Sequence, residues 1–348
     1  MDNQEITEPI ESTALATIVQ ENSLVSLSPL KESALRYAAA AKAPNTVEAY
    51  RSDWKDFSAW CSANGLEALP ARPDTVALYI TYLSDHGSWL KPLRGAVRGP
   101  SKVATIIRKL AAISKWHQAA GLDSPCVMRH AVVAEVLNGI RRTKGTAQTG
   151  KDPLLTDDLR RLLATVPDTL LGKRDRALLL LGFAGGFRRS EICALNVNDA
   201  EANKDGLKIT LRFSKTDQEG HGRTIGIPYG SDPQLCPVRC LQTWLGAAGI
   251  IEGPIFRAVS RHGRVSSVAL TDQVVLNIVK QYCRKAGLDP RKFAAHSLRS
   301  GFCTQADLGG ATERSIMSQT GHKSVVMVRR YIREGSLFRD NPATRLGL

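Results

Sequence analysis

One stretch near the C-terminus, residues 296–331, decides how the chain is interpreted, and it reads HSLRSGFCTQADLGGATERSIMSQTGHKSVVMVRRY. Four of its side chains suit a phosphate group: His296, Arg299, His322 and Tyr331. An arginine offers a planar fork of donors to phosphate oxygens, a neutral histidine donates or accepts, and a tyrosine hydroxyl can attack phosphorus. On a helix, His296 and Arg299 share a face because they are three residues apart. The stretch predicts a phosphate site that needs no metal ligands.

An isolated H-x-x-R pair has a simpler interpretation, a packed histidine beside an arginine that reaches water. The rest of the chain argues against that interpretation. Residues 186–195 read GFRRSEICAL and follow an apolar predicted helix, so Arg188 lies at a glycine-marked break. Lys215 follows in the motif FSKT. The chain thus contains an ordered set of Arg188, Lys215, His296, Arg299, His322 and Tyr331.

In order and spacing, this set resembles that of the tyrosine site-specific recombinases of the phage integrase family, to which the Cre and Xer recombinases belong. The resemblance covers residues 40–348 and is strongest after residue 174. Each motif alone is short enough to recur by chance. The specificity lies in the joint order, with 23 residues from Arg299 to His322 and nine more to Tyr331.

The resemblance implies the fold. We expect a mainly α-helical protein with a small antiparallel β-sheet in the C-terminal domain. The two domains would form a C-shaped clamp around DNA, and the catalytic domain would be of the integrase and type IB topoisomerase kind.

The resemblance also implies chemical roles. Arg188 and Arg299 would bind the phosphate, because fixed cations stabilise the extra charge of a phosphorane-like transition state. Tyr331 would be the nucleophile, and His296 its base, since a free phenol has a pKa of about 10. His322 would donate to a phosphate oxygen.

The remaining roles concern the leaving group and the arginines. Lys215, on a turn between two predicted strands, would protonate the leaving 5′ oxygen. Glu191 would hold the cations in place. The family pattern Gly-x-Arg-x-Ser-Glu selects Arg188 over Arg189, and neighbouring helical side chains point about 100° apart, so Arg189 should face solvent or DNA. Simpler roles stay open for single residues: Tyr331 as a core aromatic, Lys215 as a solvated charge and Glu191 as a surface partner of Arg188.

Composition indicates a folded protein with a polyanionic partner. The 348 residues are 43% hydrophobic and 23% charged, which suggests two domains with ample cores. The net charge of +14 favours nucleic acid over a membrane surface, because no basic amphipathic helix or lipidation signal is apparent. Residues 1–30 contain five acids and no Lys or Arg, so they are predicted to be a disordered acidic arm.

Other protein classes are disfavoured. The longest apolar stretch, residues 177–187, is too short for a bilayer that needs about 20 residues, and no signal peptide is apparent. Seven scattered cysteines suggest reduced thiols, which predicts a cytoplasmic protein, associated with the nucleoid when bound to DNA. Cys236 and Cys240 lack a second pair for zinc, and Pro237 explains the segment as a helix start.

Periodicity predicts an N-terminal helical domain over residues 31–141, and the family resemblance implies that this domain binds DNA. Apolar residues at helical spacing predict four helices: one from a capping box at Asn45, one from Pro73, one from Ser101, and one over residues 127–140. A basic linker over residues 142–153 would follow. The C-terminal catalytic domain would then span residues 154–348, with a tail after Tyr331.

Two basic segments are predicted to contact DNA phosphates, although each could instead be a solvated connection. The first is a Gly- and Pro-rich loop over residues 86–100, and the second covers the end of the N-terminal domain and the linker. The predicted contacts are Lys91, Arg94, Arg98, Arg141, Arg142 and Lys144.

Within the catalytic domain, the pattern predicts helices with a minor sheet. A Thr156 cap would open a helix to about residue 166, and a second helix would cover residues 174–184. Alternating residues 207–213 and 224–228 predict two strands. Helices are expected to resume after Pro237, over residues 271–286 and through the final site stretch.

The resemblance implies a site-specific recombinase. It would cleave and rejoin strands through a 3′-phosphotyrosyl linkage and a Holliday junction, without metal, ATP or another cofactor. The partners would be double-stranded DNA with a specific recombination site and three further copies, a homotetramer on two duplexes. The tail after Tyr331 would dock in its own domain or on a neighbouring protomer. A type IB topoisomerase and a non-catalytic DNA-binding protein are the alternatives.

Overall fold

The computed structural model describes residues 30, 32–34, 36–37, 43–90, 99–126, 130–147, 150–212, 222–335, 343 and 346. The chain divides into two compact units, residues 1–148 and 149–348, and the division falls within the predicted linker. Several predicted features lie outside the described residues: nearly all of the acidic arm, Lys91, Arg94, Arg98, Lys215 and most of the tail after residue 335.

Four described helices build the N-terminal unit. They are α1 (Pro44–Ala63), α2 (Pro73–His86), α3 (Val103–Ala119) and α4 (Ala131–Lys144). Proline opens both α1 and α2, since its fixed φ suits the first helical turn and its missing N–H has no partner there in any case. Phe57, Tyr79 and Ile80 are fully buried in the core of this unit.

Several helix boundaries in this unit differ from the predictions. The helix α3 begins at Val103 rather than at Ser101, and α4 begins at Ala131 rather than at residue 127. The helix α1 begins at Pro44 with Ala43 as its N-cap and no side-chain cap, so the predicted capping box at Asn45 is wrong. The helix α4 continues past Ile140 to Lys144, which makes the first residues of the predicted linker helical. The basic residues of its last turn favour this extension because they face the negative end of the helix dipole. Gly145, at φ +71°, then ends the helix.

The C-terminal unit is helical with two small sheets. Its helices are α5 (Thr156–Ala164), α6 (Leu170–Ala184), α7 (Arg189–Ala194), α8 (Pro237–Ala248), α9 (Asp272–Lys285), α10 (His296–Leu308), α11 (Glu313–Thr320) and α12 (Val325–Gly335). Its strands are β1 (Ala200–Ala202), β2 (Gly206–Leu211), β3 (Arg223–Pro228), β4 (Arg257–Val259) and β5 (Val265–Ala269). Thr156 is the first residue of α5 rather than its cap, which is Leu155.

All the described strand pairs are antiparallel. The order β1-β2-β3 pairs Ala200 with Ile209 and Leu211 with Arg223, and β4 pairs with β5 in a separate two-stranded sheet. The predicted strands correspond to β2 and β3, whereas β1 and the β4–β5 hairpin were not predicted. This arrangement confirms the predicted fold class of a mainly helical protein with a minor antiparallel sheet.

The helix α6 is the centre of the C-terminal core. Its apolar run is buried on nearly every side, as a helix surrounded by protein requires, and α8 and α10 pack against it. Its C-terminal end at Ala184 leads directly into the turn that carries Arg188. The core thereby fixes the position of the first predicted site residue.

Two further predictions concern membranes and thiols. Within the described residues, every helix is too short or too polar to cross a bilayer. All seven cysteines are free thiols, and all but Cys126 are buried. Cys236 caps α8, where its sulfur accepts from the backbone N–H of Arg239, consistent with a helix start rather than a zinc site.

Candidate active site

The turn after α6 presents Arg188 and fixes it to Glu191. The backbone N–H of Arg188 donates to Oε2 of Glu191 at 2.8 Å, and its Nη1 donates to Oε1 at 2.6 Å. Glu191 lies one turn into α7 and its side chain is only 2% exposed. A surface pair would be worth little, but this carboxylate has almost no water around it. The interpretation of Glu191 as a surface partner is therefore wrong, because the carboxylate is buried against Arg188.

Arg299 lies on the first turn of α10 and is buried, with 1% of its surface exposed. Its Nη1 donates to the carbonyl oxygen of Gly186 at 2.6 Å, and its Nη2 donates to Nε2 of His322 at 3.1 Å. Burial, followed by the charge of Arg188, lowers the pKa of Arg299 to about 10. The interpretation of Arg299 as a solvent-reaching side chain is wrong.

The hydrogen bonds around His322 define its tautomer. Arginine only donates, so Nε2 of His322 carries the lone pair and Nδ1 carries the proton. Nδ1 lies 2.7 Å from Oγ1 of Thr320, whose own hydroxyl donates to the carbonyl oxygen of Ile316 at 2.6 Å. Burial, followed by the charges of Arg299 and Arg188, lowers the pKa of His322 to about 3. His322 is neutral at physiological pH.

Tyr331 lies in α12 with its hydroxyl on His296. The hydroxyl oxygen is 2.7 Å from Nε2 of His296, and the Tyr331 ring also lies 5.8 Å from the ring of His322. Thr304 donates to the backbone carbonyl of Tyr331 at 3.3 Å, which ties α12 to α10. The ring packs on Cys303 and its neighbours, so Tyr331 is both a packed aromatic and a hydrogen-bonded phenol.

Electrostatics favour a neutral phenol and a neutral imidazole. Burial raises the pKa of Tyr331, while Arg299 and Arg188 oppose that rise. Burial, followed by the charges of Arg299 and Arg188, lowers the pKa of His296. A neutral imidazole beside a neutral phenol can accept the proton when the phenol attacks.

The structure thus brings together six predicted side chains from four segments of the C-terminal unit. The arginines lie where their charges act on both histidines and on the phenol. The group can bind an anion and accept a proton from the phenol. Its members are Arg188, Glu191, His296, Arg299, His322 and Tyr331.

The other predicted residues lie apart from this group or outside the described residues. Arg189 is 42% exposed and pairs with Asp272 at 3.1 Å, in line with the expectation that it faces outward. Arg141, Arg142 and Lys144 lie in the last turn of α4. Lys144 donates to the carbonyl oxygen of Ser84, and Arg141 donates to Asn138 at 3.3 Å. Their DNA contacts stay predictions.

Two residues near the site were not predicted. Arg223 begins β3, and its Nη2 donates to Oε2 of Glu191 at 3.0 Å. The only signal in the sequence was its position at the start of a predicted strand, which does not single it out among 47 basic residues. Thr320 directly precedes Gly321 and His322. A threonine at that position is common in helix ends and turns, so nothing in the sequence indicated that it would contact His322.

Metal ligands do not cluster in the described part of the chain. No group of three or more His, Cys, Asp or Glu side chains occurs there that could hold an ion. The two site histidines instead face arginines and a phenol.

Comparison with known proteins agrees with this geometry. The model of the phage integrase family matches residues 153–336. An integrase/recombinase xerD homolog from Selenomonas ruminantium is 43% identical over 312 residues, which cover 88% of this chain and 86% of the relative. A tyrosine recombinase XerD from Bifidobacterium longum is 29% identical over 300 residues, which cover 82% and 85% of the two chains.

A solved structure shares the fold. The crystal structure of the XerH site-specific recombinase, bound to a palindromic difH substrate in a post-cleavage complex, has a TM-score of 0.58 at 14% identity. The match covers 90% of this chain and 83% of that chain. The predicted family resemblance is confirmed by the family match and the 43% identical relative. This chain belongs to the phage integrase family.

Proposed function

We propose that this protein is a site-specific DNA recombinase whose nucleophile is Tyr331. The observation that carries the proposal is the 2.7 Å contact between the Tyr331 hydroxyl and His296, beside two arginines that are fixed by other side chains. A phenol in that setting has a base and a cationic phosphate site within reach. Family membership and the names of the relatives support the same activity.

The first step transfers a DNA strand to the enzyme. The Tyr331 oxygen bonds to phosphorus, its proton passes to Nε2 of His296, and the bond from phosphorus to the 5′ oxygen breaks. Because His296 has a lowered pKa, it stays neutral and able to accept at neutral pH, and it loses this ability only in acid. The product is a 3′-phosphotyrosyl linkage and a 5′ hydroxyl, once the leaving oxygen has gained a proton.

Arg188 and Arg299 form the phosphate clamp. Their side chains are held by Glu191, Gly186 and His322 before any substrate binds, so little reorganisation is needed when charge develops on the non-bridging oxygens. Preorganised donors of this kind contribute roughly 2.7–4 kcal/mol each in other enzymes. With this clamp in place, the proposed mechanism needs no metal ion to stabilise that charge.

His322 and Lys215 have roles that stay predictions. In the tautomer that these contacts imply, His322 orients Arg299 through Nε2 and has its N–H on Thr320. Donation from Nε2 to a phosphate oxygen would require the other tautomer and the release of Arg299. Lys215 lies outside the described residues, and we propose it as the acid for the leaving 5′ oxygen.

Strand exchange follows from reversal of the first step. The 5′ hydroxyl of a partner strand attacks the phosphotyrosyl linkage, which conserves the bond energy without ATP, and two such exchanges pass through a Holliday junction. We propose a homotetramer on two duplexes and a clamp formed by the two units. The solved XerH complex with its difH substrate supports DNA as the partner.

Covalent trapping tests the function. DNA flanking the gene is screened for an inverted repeat that the protein binds, and that site is synthesised with a nick that lets the cleaved end diffuse away. Wild-type protein should form a covalent complex in EDTA that survives a denaturing gel. Tyr331→Phe should bind the same DNA but lower trapping by more than about 10³-fold.

A matched control separates the nucleophile from a structural phenol. Tyr282→Phe removes the hydroxyl of a buried tyrosine on α9 that donates to Asp175, and it should still trap DNA. Trapping by Tyr331→Phe would place the nucleophile elsewhere. A requirement for Mg²⁺ in the covalent step would overturn the mechanism.

A further inference from the structure

Arg223 is a largely buried cation beside the site, and the predicted set of functional residues does not contain it. It is the first residue of β3, opposite Leu211 of β2, and its side chain is 16% exposed. One of its nitrogens, Nη2, donates to Glu191. The other two, Nε and Nη1, are buried and have no hydrogen-bond partner among the described residues. Buried donors in a purely structural guanidinium are normally hydrogen-bonded. The two unpaired donors of Arg223 therefore suggest a role other than stability.

Glu191 connects Arg223 to the phosphate clamp. Its Oε2 accepts from Nη2 of Arg223 and from the backbone N–H of Arg188, while its Oε1 accepts from Nη1 of Arg188. The carboxylate therefore bridges two guanidinium groups, and Arg223 holds the oxygen that the Arg188 guanidinium does not contact. Removing one cation from such a buried triad leaves the carboxylate free to rotate or to draw Arg188 towards itself.

Gly321 provides the second contact. Its φ is +67°, and a methyl group at this position would come within 2.0 Å of Nη1 and 2.8 Å of Cζ of Arg223. The Arg223 guanidinium therefore lies directly on the backbone of the residue that precedes His322. One side chain touches both the support of Arg188 and the turn that presents His322.

We propose that Arg223 is a positioning residue of the active site, which holds the Glu191 carboxylate, and through it Arg188, against the turn that carries His322. The inference rests on the proposed recombinase function. Arg223 has Nη2 on Glu191 and Nη1 beside the backbone of Gly321, so it acts on the reaction through its neighbours. Its loss should slow strand cleavage much more than it weakens DNA binding, since a displacement of about 1 Å in a catalytic group can cost about 100-fold.

The experiment measures the single-turnover rate of covalent cleavage on the nicked DNA and, separately, the Kd for that DNA. Arg223→Met keeps an unbranched apolar stem in place of the arginine stem and removes the charge and the donors. It should slow cleavage by about 10- to 100-fold while the Kd stays within about twofold. Arg223→Lys, with one charged donor, should recover part of the rate.

Arg212→Met is the matched control. Arg212 follows β2 in the same sheet and pairs with Asp199 at 3.1 Å, so its loss removes an arginine–carboxylate pair away from Glu191. It should leave the cleavage rate within about twofold of wild type. Melting temperatures of all variants, measured alongside, show whether each one folds.

A double-mutant cycle tests whether Arg223 acts through Glu191. Arg223→Met should have little further effect on the rate in a Glu191→Gln background, because the partner through which it acts is gone. A second double-mutant cycle tests the contact between Arg223 and Gly321. Gly321→Ala should slow cleavage more in wild type than beside Arg223→Met, since the flexible methionine can move away from the new methyl group.

The outcomes are distinct. A wild-type protein that forms no covalent complex refutes the proposed function, whatever Arg223 does. If wild type cleaves, the inference is overturned by an Arg223→Met variant that cleaves at the wild-type rate, by equal losses in rate and affinity, or by effects of Arg223→Met and Glu191→Gln that multiply independently. Should Arg223→Met fail to fold, the same criteria apply to Arg223→Lys.

Discussion

At the scale of single residues, the site shows how neighbours set protonation states. His296 and His322 both lie near Arg299 and Arg188, and desolvation together with these charges lowers the pKa of each histidine. Two imidazolium groups beside two arginines would repel each other strongly. Both histidines are therefore neutral at physiological pH, and each has a lone pair to offer, one to the phenol and one to Arg299.

The lowered pKa of His322 predicts a pH dependence of stability. In the unfolded chain a histidine has a pKa near 6.5, whereas in the folded protein that of His322 is about 3. Between these values the unfolded state binds more protons, so the free energy of unfolding falls as pH is lowered from 6.5. For this one group the loss between pH 6.5 and pH 4 amounts to about 3 kcal/mol.

Urea unfolding at a series of pH values checks this prediction. His322→Gln keeps an acceptor for Arg299 but does not titrate, so its free energy of unfolding should fall by about 3 kcal/mol less than that of wild type over the same range. His262→Gln, in the exposed turn between β4 and β5, controls for the loss of an imidazole elsewhere. Parallel curves for wild type and His322→Gln would contradict the buried, neutral state of His322.

At the scale of elements, the helices and strands with strong hydrophobic periodicity were predicted well, whereas the short strands were not predicted. The helices α2 and α3 and the strands β2 and β3 lie close to their predicted spans. In each of them the apolar residues recur at the spacing of a helix or of a strand, and only that secondary structure places them all on one buried face. The strands β1, β4 and β5 have three to five residues and are partly exposed, so no alternation marks them. These strands form because they pair with neighbouring backbone in the folded chain. That pairing depends on tertiary structure and leaves no pattern in the local sequence.

The turn between α6 and α7 decides where two site residues lie. Gly186 has a φ of +56°, and its carbonyl oxygen accepts from Arg299. A Cβ there would come within 2.9 Å of Thr320 and 3.0 Å of Phe302. The glycine is therefore required both by the left-handed backbone and by close packing against α10 and α11.

Alanine at two glycines tests this requirement. Gly186→Ala should lower the free energy of unfolding by about 1–3 kcal/mol and slow strand cleavage, because the acceptor of Arg299 moves. Gly139→Ala, in the exposed interior of α4 where a methyl meets no atom within 4 Å, should raise stability by about 0.5–1 kcal/mol. Chemical denaturation of both variants provides the measurement. Equal effects of the two substitutions would show that the turn is not constrained.

At the scale of the whole molecule, the order of motifs carried the prediction. Residues as distant in sequence as Arg188 and Tyr331 meet in one site, and the order and spacing of the motifs were enough to indicate the family. Arg223 was not predicted because the sequence does not show whether an arginine is largely buried or exposed. Only the packing around it in the folded chain makes that distinction. The clamp around DNA and the contacts of both basic segments stay predictions, since they depend on a polyanion whose path the sequence does not encode.

The final prediction concerns how the chain binds that polyanion. The six basic residues predicted to contact phosphates should release counterions when they bind, and each contact contributes about 0.9 to the slope of log K against log salt concentration. Arg94→Gln and Arg142→Gln should each lower the slope by about one unit and weaken binding equally on cognate and unrelated DNA. Arg142 is exposed at the end of α4 with no acid in the last turn of that helix, which leaves its charge available.

Fluorescence anisotropy across a range of salt concentrations measures these slopes. Arg72→Gln is the control on the same unit, because Arg72 is exposed but lies beside Asp74 at 3.3 Å, and its neutralisation should leave the slope unchanged. A variant that alters sequence preference without altering the slope would instead contact bases, since base contacts carry specificity and phosphate contacts carry charge. Loss of slope in the Arg72 control as well would mean that the whole unit, rather than its two basic segments, contributes the electrostatic attraction.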